Sequence, residues 1–365
     1  MIVFEEVGCS EKALTSLKFF KEEAPHVHIM ATGSNIGLCK SFPVGQVDWI
    51  AMYPMTFSEF LEATGNSMLS SAIDGQLDKR IPKTAHEQLI NLMREYWFVG
   101  GMPESVSAWV ALREQSLPKR VKAVEKIKAD LIRGYSKDFG KLVKGHDTTE
   151  LQVQRVYNSL ANQIATVEDE NAPKFVFKGV LGNTRTGYED VVNPIEFLRG
   201  LMLAHKVLIL DGMNAKYNAV FQIEEGRFKL LPHDIGIMAK MIGSTYYDIM
   251  DAKDSYKGFM AEVFVANEMI SSMNSEAQQI ILHSFKRGSS SEIEFLLGTF
   301  GNYVPLEVKS GKKTQSKSLR NYMDRYSPTK SIKLSAKNPI NEPDEVLQHY
   351  ALYRAKKVYD ELMES

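Results

Sequence analysis

Cysteine is nearly missing from this chain. Cys9 and Cys39 are its only thiols, too few for a zinc site or a disulfide framework. A reducing, cytoplasmic compartment is therefore expected. Net charge is nearly missing as well: 44 Lys and Arg stand against 45 Asp and Glu. No global basic field marks a nucleic-acid binder, so any such surface has to be local. No apolar run approaches the ~20 residues that cross a bilayer, and the opening residues do not read as a signal peptide. Repeats and low-complexity segments are lacking. The 8 histidines show no ligand spacing; His26 and His28 share a strand face, which is weak support for a metal. No Ser-His-Asp or Cys-His arrangement stands out. What is present is an ordinary globular composition, 44% hydrophobic and 24% charged over 365 residues, long enough for two or three domains.

The stretch with most chemical content is Tyr303-Val-Pro-Leu-Glu-Val-Lys-Ser-Gly311. On a strand, Glu307 and Lys309 leave the same face while Val304, Leu306 and Val308 enter a core. A carboxylate beside an ammonium suits phosphodiester chemistry. The carboxylate can bind a divalent metal, and the lysine can orient a water or offset charge developing on phosphate. By itself the pair is equally well read as a solvated strand face.

The chain opens on a second chemical pattern. The apolar segment Ile2-Val3-Phe4 ends in Glu5-Glu6. A helix (Leu14, Leu17, Phe20) and an alternating strand (Val27, Ile29, Ala31) follow, closing on Thr32-Gly33-Ser34-Asn35. In P-loop ATPases an acidic pair ends the Walker B strand, and a polar residue at the end of the next strand senses the γ-phosphate; Ser34 or Asn35 takes that place. The alternative is two solvated acids at a strand end. A Gly-x-x-x-x-Gly-Lys-[Ser/Thr] loop, whose backbone N–H groups cradle phosphates, does not occur. Gly311-Lys312-Lys313-Thr314 has Leu306 where the first glycine belongs, and Gly140-Lys141 is followed by Leu142.

Residues 47–52 predict a strand. Thr56 and Glu59 predict a capping box opening a helix. Residues 84–142 read as successive amphipathic helices broken at Gly100-Gly101-Met102-Pro103. Val153, Val156, Tyr157, Leu160 and Ile164 give a clear helical period. Asn193-Pro194-Ile195-Glu196 predicts a second capping box, followed by strand 207–210 and a hairpin turning near Glu225-Gly226. Helices followed by a two-stranded wing match a winged-helix module, which can read DNA; the groove helix carries only Arg199 and Lys206, so plain packing is the competing reading.

Further on, an apolar helix over 256–272 carries Glu262, an acid that needs a lysine, a metal or water as its partner. Strands 280–283 and 292–297 follow, the latter with Glu292 and Glu294 on one face. Then come the Glu307-x-Lys309 strand, a helix (Leu319, Tyr322, Met323, Tyr326) and strand 332–334. This order is that of PD-(D/E)xK nuclease cores. Its oxygen-rich site suits Mg²⁺ or Mn²⁺. Residues 309–337 are basic. Lys312, Lys313, Lys317 and Arg320 are candidates for holding a nucleic-acid backbone, with a solvated helix face as the alternative. An amphipathic helix (Leu347, Tyr350, Ala351, Val358, Leu362) is expected after Pro343.

These stretches together resemble prokaryotic AAA-type ATPases of the DEXX-box kind, whose C-terminal domain of unknown function has a PD-(D/E)xK-like core. The matching segments run in order from Ile2-Val3-Phe4-Glu5-Glu6 through Tyr53-Pro54-Met55-Thr56-Phe57-Ser58-Glu59-Phe60, Gly100-Gly101-Met102-Pro103-Glu104 and Ala261-Glu262-Val263-Phe264 to Ser291-Glu292-Ile293-Glu294-Phe295 and Pro305-Leu306-Glu307-Val308-Lys309-Ser310-Gly311. The resemblance implies a multidomain α/β and α+β protein. It divides into the second half of an ATPase sheet (1–65), a helical lid (66–148), a winged-helix-like part (149–245), a nuclease-like αβ domain (246–338) and a docking helix (339–365). It implies Mg²⁺ or Mn²⁺ on Glu294 and Glu307, with Lys309 and Glu262 assisting. Glu5, Glu6, Ser34 and Asn35 become a vestigial ATP site in a member shortened at its N-terminus, with ATP not bound by this chain alone. Glu5 and Glu294 stand where that family usually has aspartate, a ligand displacement of about 1.5 Å. The expected function is nucleic-acid binding or cleavage at the C-terminal site. The alternative is a non-catalytic interaction module. Pairing with a second copy through the uncovered N-terminal sheet, and no membrane partner, complete the expectations.

Overall fold

The computed structural model describes residues 1–39, 45–165, 175–211, 225–251, 254–273, 282–287, 291–299, 302–311, 316–339 and 345–364. The protein mixes helices and strands and divides into two units.

The first unit gathers residues 1–51, 135–157 and 177–205. Strands β1 (Ile2–Phe4) and β2 (Ile29–Ala31) pair in parallel, with helix α1 (Glu11–Glu23) between them in sequence. The Ser10 hydroxyl starts that helix by accepting from the Ala13 N–H, and Leu14 and Leu17 bury against Val7. The predicted strand–helix–strand order is thus present. Its apolar residues are in part uncovered: Ile2 and Val3 are 41% and 48% exposed. Residues 47–52 form no strand, and Ile50 and Met52 are each 84% exposed. Alternation is a weak strand signal, and pairing decides the outcome; among the described residues this sheet has two strands.

Helix α7 (Glu150–Ala165) carries the predicted period from Val153 to Ile164, whereas helix α8 (Tyr188–Gly200) differs from expectation. It starts well before Asn193-Pro194, because the Asp190 carboxylate accepts from the Gly187 N–H at 2.7 Å and caps an earlier turn. Pro194 lies inside the helix, and the Asn193 amide instead donates to the Asp147 carbonyl.

The second unit holds residues 52–134, 158–176 and 206–365. Helix α2 (Phe57–Ala63) opens on the predicted capping box: Glu59 Oε2 accepts from the Thr56 N–H at 2.7 Å, and Thr56 Oγ1 accepts from the Glu59 N–H. Helices α3 (Ser67–Ile73), α4 (Lys83–Val99), α5 (Pro103–Ala111) and α6 (Leu117–Leu142) follow, the last running on into the first unit. Phe57 and Tyr96 each meet the Phe264 ring edge to face, and Phe60 packs on Tyr96, in one aromatic cluster. Between α4 and α5, Gly100 turns the chain at φ 79°, a conformation glycine adopts without strain. There the Asp234 carboxylate, 1% exposed, accepts from Gly101 N–H and Ile237 N–H, both at 2.7 Å. It thereby ties this turn to the start of helix α9 (Ile235–Met241).

After helices α10 (Tyr246–Met250) and α11 (Asp254–Ile270), the chain builds most of a seven-stranded sheet. Its strands are β3 (Ala204–Asp211), β4 (Phe228–Pro232), β5 (Leu282–Arg287), β6 (Ser291–Thr299), β7 (Asn302–Lys309), β8 (Ser331–Ser335) and β9 (Leu347–Ala351), in the order β4-β3-β5-β6-β7-β8-β9. Two expectations change here. β3 and β4, read as the wing of a separate module, extend this sheet instead. Leu347–Ala351, read as the start of a helix, is an edge strand parallel to β8; helix α13 begins only at Ala355 and ends at Glu364. Val304, Leu306, Val308, Ile332 and Leu334 pack in one core with residues of α11 and α13. Tyr303 and Leu296 pack in another with Leu319 and Tyr322 of helix α12 (Lys317–Tyr326).

Candidate active site

β3 and β5 are parallel, β6 is antiparallel to both β5 and β7, and β7, β8 and β9 are parallel. The carboxyl ends of five strands therefore lie beside the amino end of β6. In open α/β sheets ligands bind outside such carboxyl ends. β7 delivers the predicted pair there. Lys309 Nζ is 3.2 Å from Glu307 Oε1, and the apolar alternates Val304, Leu306 and Val308 enter the core as expected. Glu307 is 1% exposed, and its Oε2 has no hydrogen-bond partner among the described residues. A buried carboxylate oxygen left unpaired is costly.

Glu294 joins this pair through an irregularity in β6. His283 lies opposite Leu296 and Phe285 opposite Ile293, so one residue of β5 faces both Glu294 and Phe295. Such a bulge re-aims side chains. The effect shows in the packing: Ile293 shares a cluster with Leu296, while Phe295 and Leu297 belong to the other core. Glu292 and Glu294, expected to act from one face, consequently take different partners. Glu294 Oε2 accepts from the Val308 N–H at 3.1 Å, and its Oε1 lies 3.9 Å from Lys309 Nζ. Burial raises the Glu294 carboxyl to about 8, with Lys309 opposing and Glu307, Glu262 and Glu292 adding to the rise. Burial acts to lower Lys309, but Glu294 and Glu307 outweigh it and the ammonium is raised overall.

The acid on α11 has a partner that the sequence did not reveal. Lys229 Nζ of β4 lies 2.6 Å from Glu262 Oε1 and 3.3 Å from Glu292 Oε1, and the lysine is 1% exposed. Burial acts against its charge, but Glu262 and Glu292 raise it overall. β4 and β6 have β3 and β5 between them, a separation of about 14 Å in a flat sheet. The contact is made by two long side chains reaching toward each other across those strands. The only sequence signal was the polar residue inside the apolar run of Phe228–Pro232.

A polar row crosses the sheet from Glu307. Lys333 of β8 lies in register with Glu307, and His349 of β9 with Lys333. His349 Nε2 and Ser335 Oγ are 2.6 Å apart. Burial, then Arg320, Lys309 and Lys337, lower the Lys333 ammonium, with Glu307 opposing. Burial, Lys333 and Lys337 lower His349 to about 4.

Of the predicted nucleic-acid contacts, Lys317 and Arg320 are exposed on α12, while Lys312 and Lys313 lie outside the described residues. In the first unit, Glu5 and Glu6 are exposed just after β1 and Ser34 just after β2. Val7 N–H donates to the Thr32 carbonyl, which brings the two strand ends together. Asn35 donates to the Gly8 carbonyl at 3.4 Å.

No three His, Cys, Asp or Glu side chains converge on a metal position among the described residues. Mg²⁺ keeps several waters and is commonly held by one or two carboxylates plus substrate phosphate. Glu294 and Glu307 fit that requirement, with the unpaired Glu307 Oε2 as the free donor. No helix among the described residues is long and apolar enough to cross a membrane.

Residues 257–356 match the model of a family described as domain of unknown function DUF4143, and residues 90–248 match one described as domain of unknown function DUF8612. The former is the C-terminal domain typical of AAA-ATPase-associated proteins. No curated protein and no solved structure matches the chain. Glu262, Glu292, Glu294, Glu307 and Lys309 all fall within the first match, and Lys229 within the second.

Proposed function

We propose that this chain hydrolyses phosphodiester bonds in nucleic acid at the carboxyl end of its seven-stranded sheet, with Mg²⁺ or Mn²⁺. The observation that carries the reading is the buried Glu307 Oε2, unpaired among the described residues, beside Lys309 and Glu294. Glu294 and Glu307 would hold the ion, which when bound supplies Lewis-acid stabilisation and a more acidic water. Lys309 stays protonated because two carboxylates raise it, so it serves as a fixed positive donor toward phosphate or water and not as a base. Glu262 acts at one remove, since its carboxylate is engaged by Lys229. Lys317 and Arg320 would attract the nucleic-acid backbone.

The test is cleavage of plasmid and oligonucleotide substrates with Mg²⁺ or Mn²⁺. Wild type is expected to cut, and Glu307→Ala and Lys309→Ala to lose activity. Purified protein that cuts nothing, or variants that cut as well as wild type, defeat the reading.

The high Glu294 pKa favours a second reading, a module that binds nucleic acid without cutting, because a protonated carboxyl is a poor metal ligand. Salt-sensitive DNA binding with no cleavage at pH 7 to 9 would select it. For the first unit we propose part of an AAA-type ATPase sheet that does not bind ATP alone, since the sequence offers no phosphate-cradling Gly-x-x-x-x-Gly-Lys loop. An ATP-analogue titration with micromolar affinity overturns this.

A further inference from the structure

We infer that Lys229 is an internal cation that occupies the place of a second divalent ion and limits the site to one. The inference rests on the metal reading of Glu294 and Glu307. Its own basis is the geometry on the other side of the cluster. The Lys229 ammonium sits between carboxylates from two different elements, Glu262 of α11 and Glu292 of β6, at 2.6 and 3.3 Å. The lysine and Glu262 are 1% and 9% exposed, so water cannot substitute for the ammonium. Two carboxylates converging on one point supply the protein's usual share of a Mg²⁺ shell that water completes, and here the point is filled by nitrogen.

The carboxylates divide between the two ammonium groups: Glu262 and Glu292 face Lys229, and Glu294 and Glu307 face Lys309. The Lys229 half is closed, whereas the Lys309 half keeps an unpaired oxygen on Glu307. Lys229 is thus a positioning residue that reserves Glu262 and Glu292 from metal.

The experiment is a titration of the full chain with Mn²⁺, reading free ion by electron paramagnetic resonance. Wild type is expected to bind one ion, Lys229→Ala two, and Lys229→Ala/Glu262→Gln one again. Wild type binding two ions, or Lys229→Ala gaining none over wild type, overturns the inference. Wild type binding none while Lys229→Ala binds one would sink the proposed catalytic metal site and leave this inference standing. Wild type and Lys229→Ala each binding one would do the reverse. If Lys229→Ala fails to fold, Mn²⁺ added during refolding is expected to restore a cooperative thermal transition, since a ligand of the native state stabilises it. No restoration overturns the proposal.

Discussion

Replacing Glu294 by glutamine gives a direct reading of the cluster's electrostatics. Glutamine keeps an oxygen to accept the Val308 N–H, which Glu294 now holds at 3.1 Å, and removes the titration. The folded carboxyl sits at about 8, whereas an unfolded glutamate titrates near about 4.3. The folded state therefore holds this proton more tightly. Its stabilising effect is complete below the unfolded value and is lost as pH rises through the folded one. One such group changes stability by at most ~1.4 kcal/mol per pH unit. Coupling to Lys309 and the neighbouring acids spreads the titration, so we expect roughly 2–4 kcal/mol between pH 5 and 8. Glu268, 3% exposed and accepting from the Phe57 N–H, is likewise raised to about 8 by burial, so it adds a similar slope. Urea unfolding at fixed ionic strength from pH 5 to 9 separates the two. Wild type is expected to lose stability steeply over this range, Glu294→Gln to lose about half as much, and Glu294→Gln/Glu268→Gln little. A Glu294→Gln profile parallel to wild type would refute the reasoning.

Four other substitutions probe what holds the second unit together. Asp234→Ala removes two charge-assisted hydrogen bonds and orphans the Gly101 N–H; at about 1.5–3 kcal/mol each, a loss of roughly 3–5 kcal/mol in urea unfolding is expected, and a loss under 1 kcal/mol contradicts the role. At Gly236 an added Cβ would lie 2.6 Å from the Gly100 Cα, so Gly236→Ala should cost about 1–3 kcal/mol, whereas Gly258→Ala, inside α11 with open space around it, should stabilise by about 0.5–1 kcal/mol. Thr56→Ala breaks the capping box of α2 and should cost ~1 kcal/mol, measured by the same unfolding curves, with an unchanged midpoint counting against it.

Local rules reached one side of the site and stopped there. Strand alternation placed Glu307 and Lys309 on one face, and they meet at 3.2 Å. The Thr-x-x-Glu pattern at 56–59 gave the cap observed, because both of its contacts lie within one helical turn. Asn193-Pro194 failed as a cap for a related reason: Asp190 offered a competing carboxylate one turn earlier, and the spacing alone could not rank them. Residues 347–351 carry apolar groups compatible with helix or strand over so short a span, and the open edge of β8 decided for strand. The bulge in β6 left no mark in the sequence, because it depends on how many residues β5 sets against Glu294 and Phe295.

Lys229 shows why the remainder could not be read. An acid at 262 on an apolar stripe demanded a partner, and a lysine flanked by the apolar residues of Phe228–Pro232 offered one. Each was visible alone. Pairing them requires that β4 join the sheet of β5 to β9, where Lys229 reaches past two intervening strands to Glu292. Without that knowledge Glu262 has a lysine, a metal or water open to it as partner, and Glu292 shares a strand face with Glu294. With it, Glu262 and Glu292 are seen to be engaged by Lys229, and Glu294 and Glu307 lie beside Lys309. Counting acids along a chain overstates a metal site whenever the fold has already brought a buried ammonium to some of them.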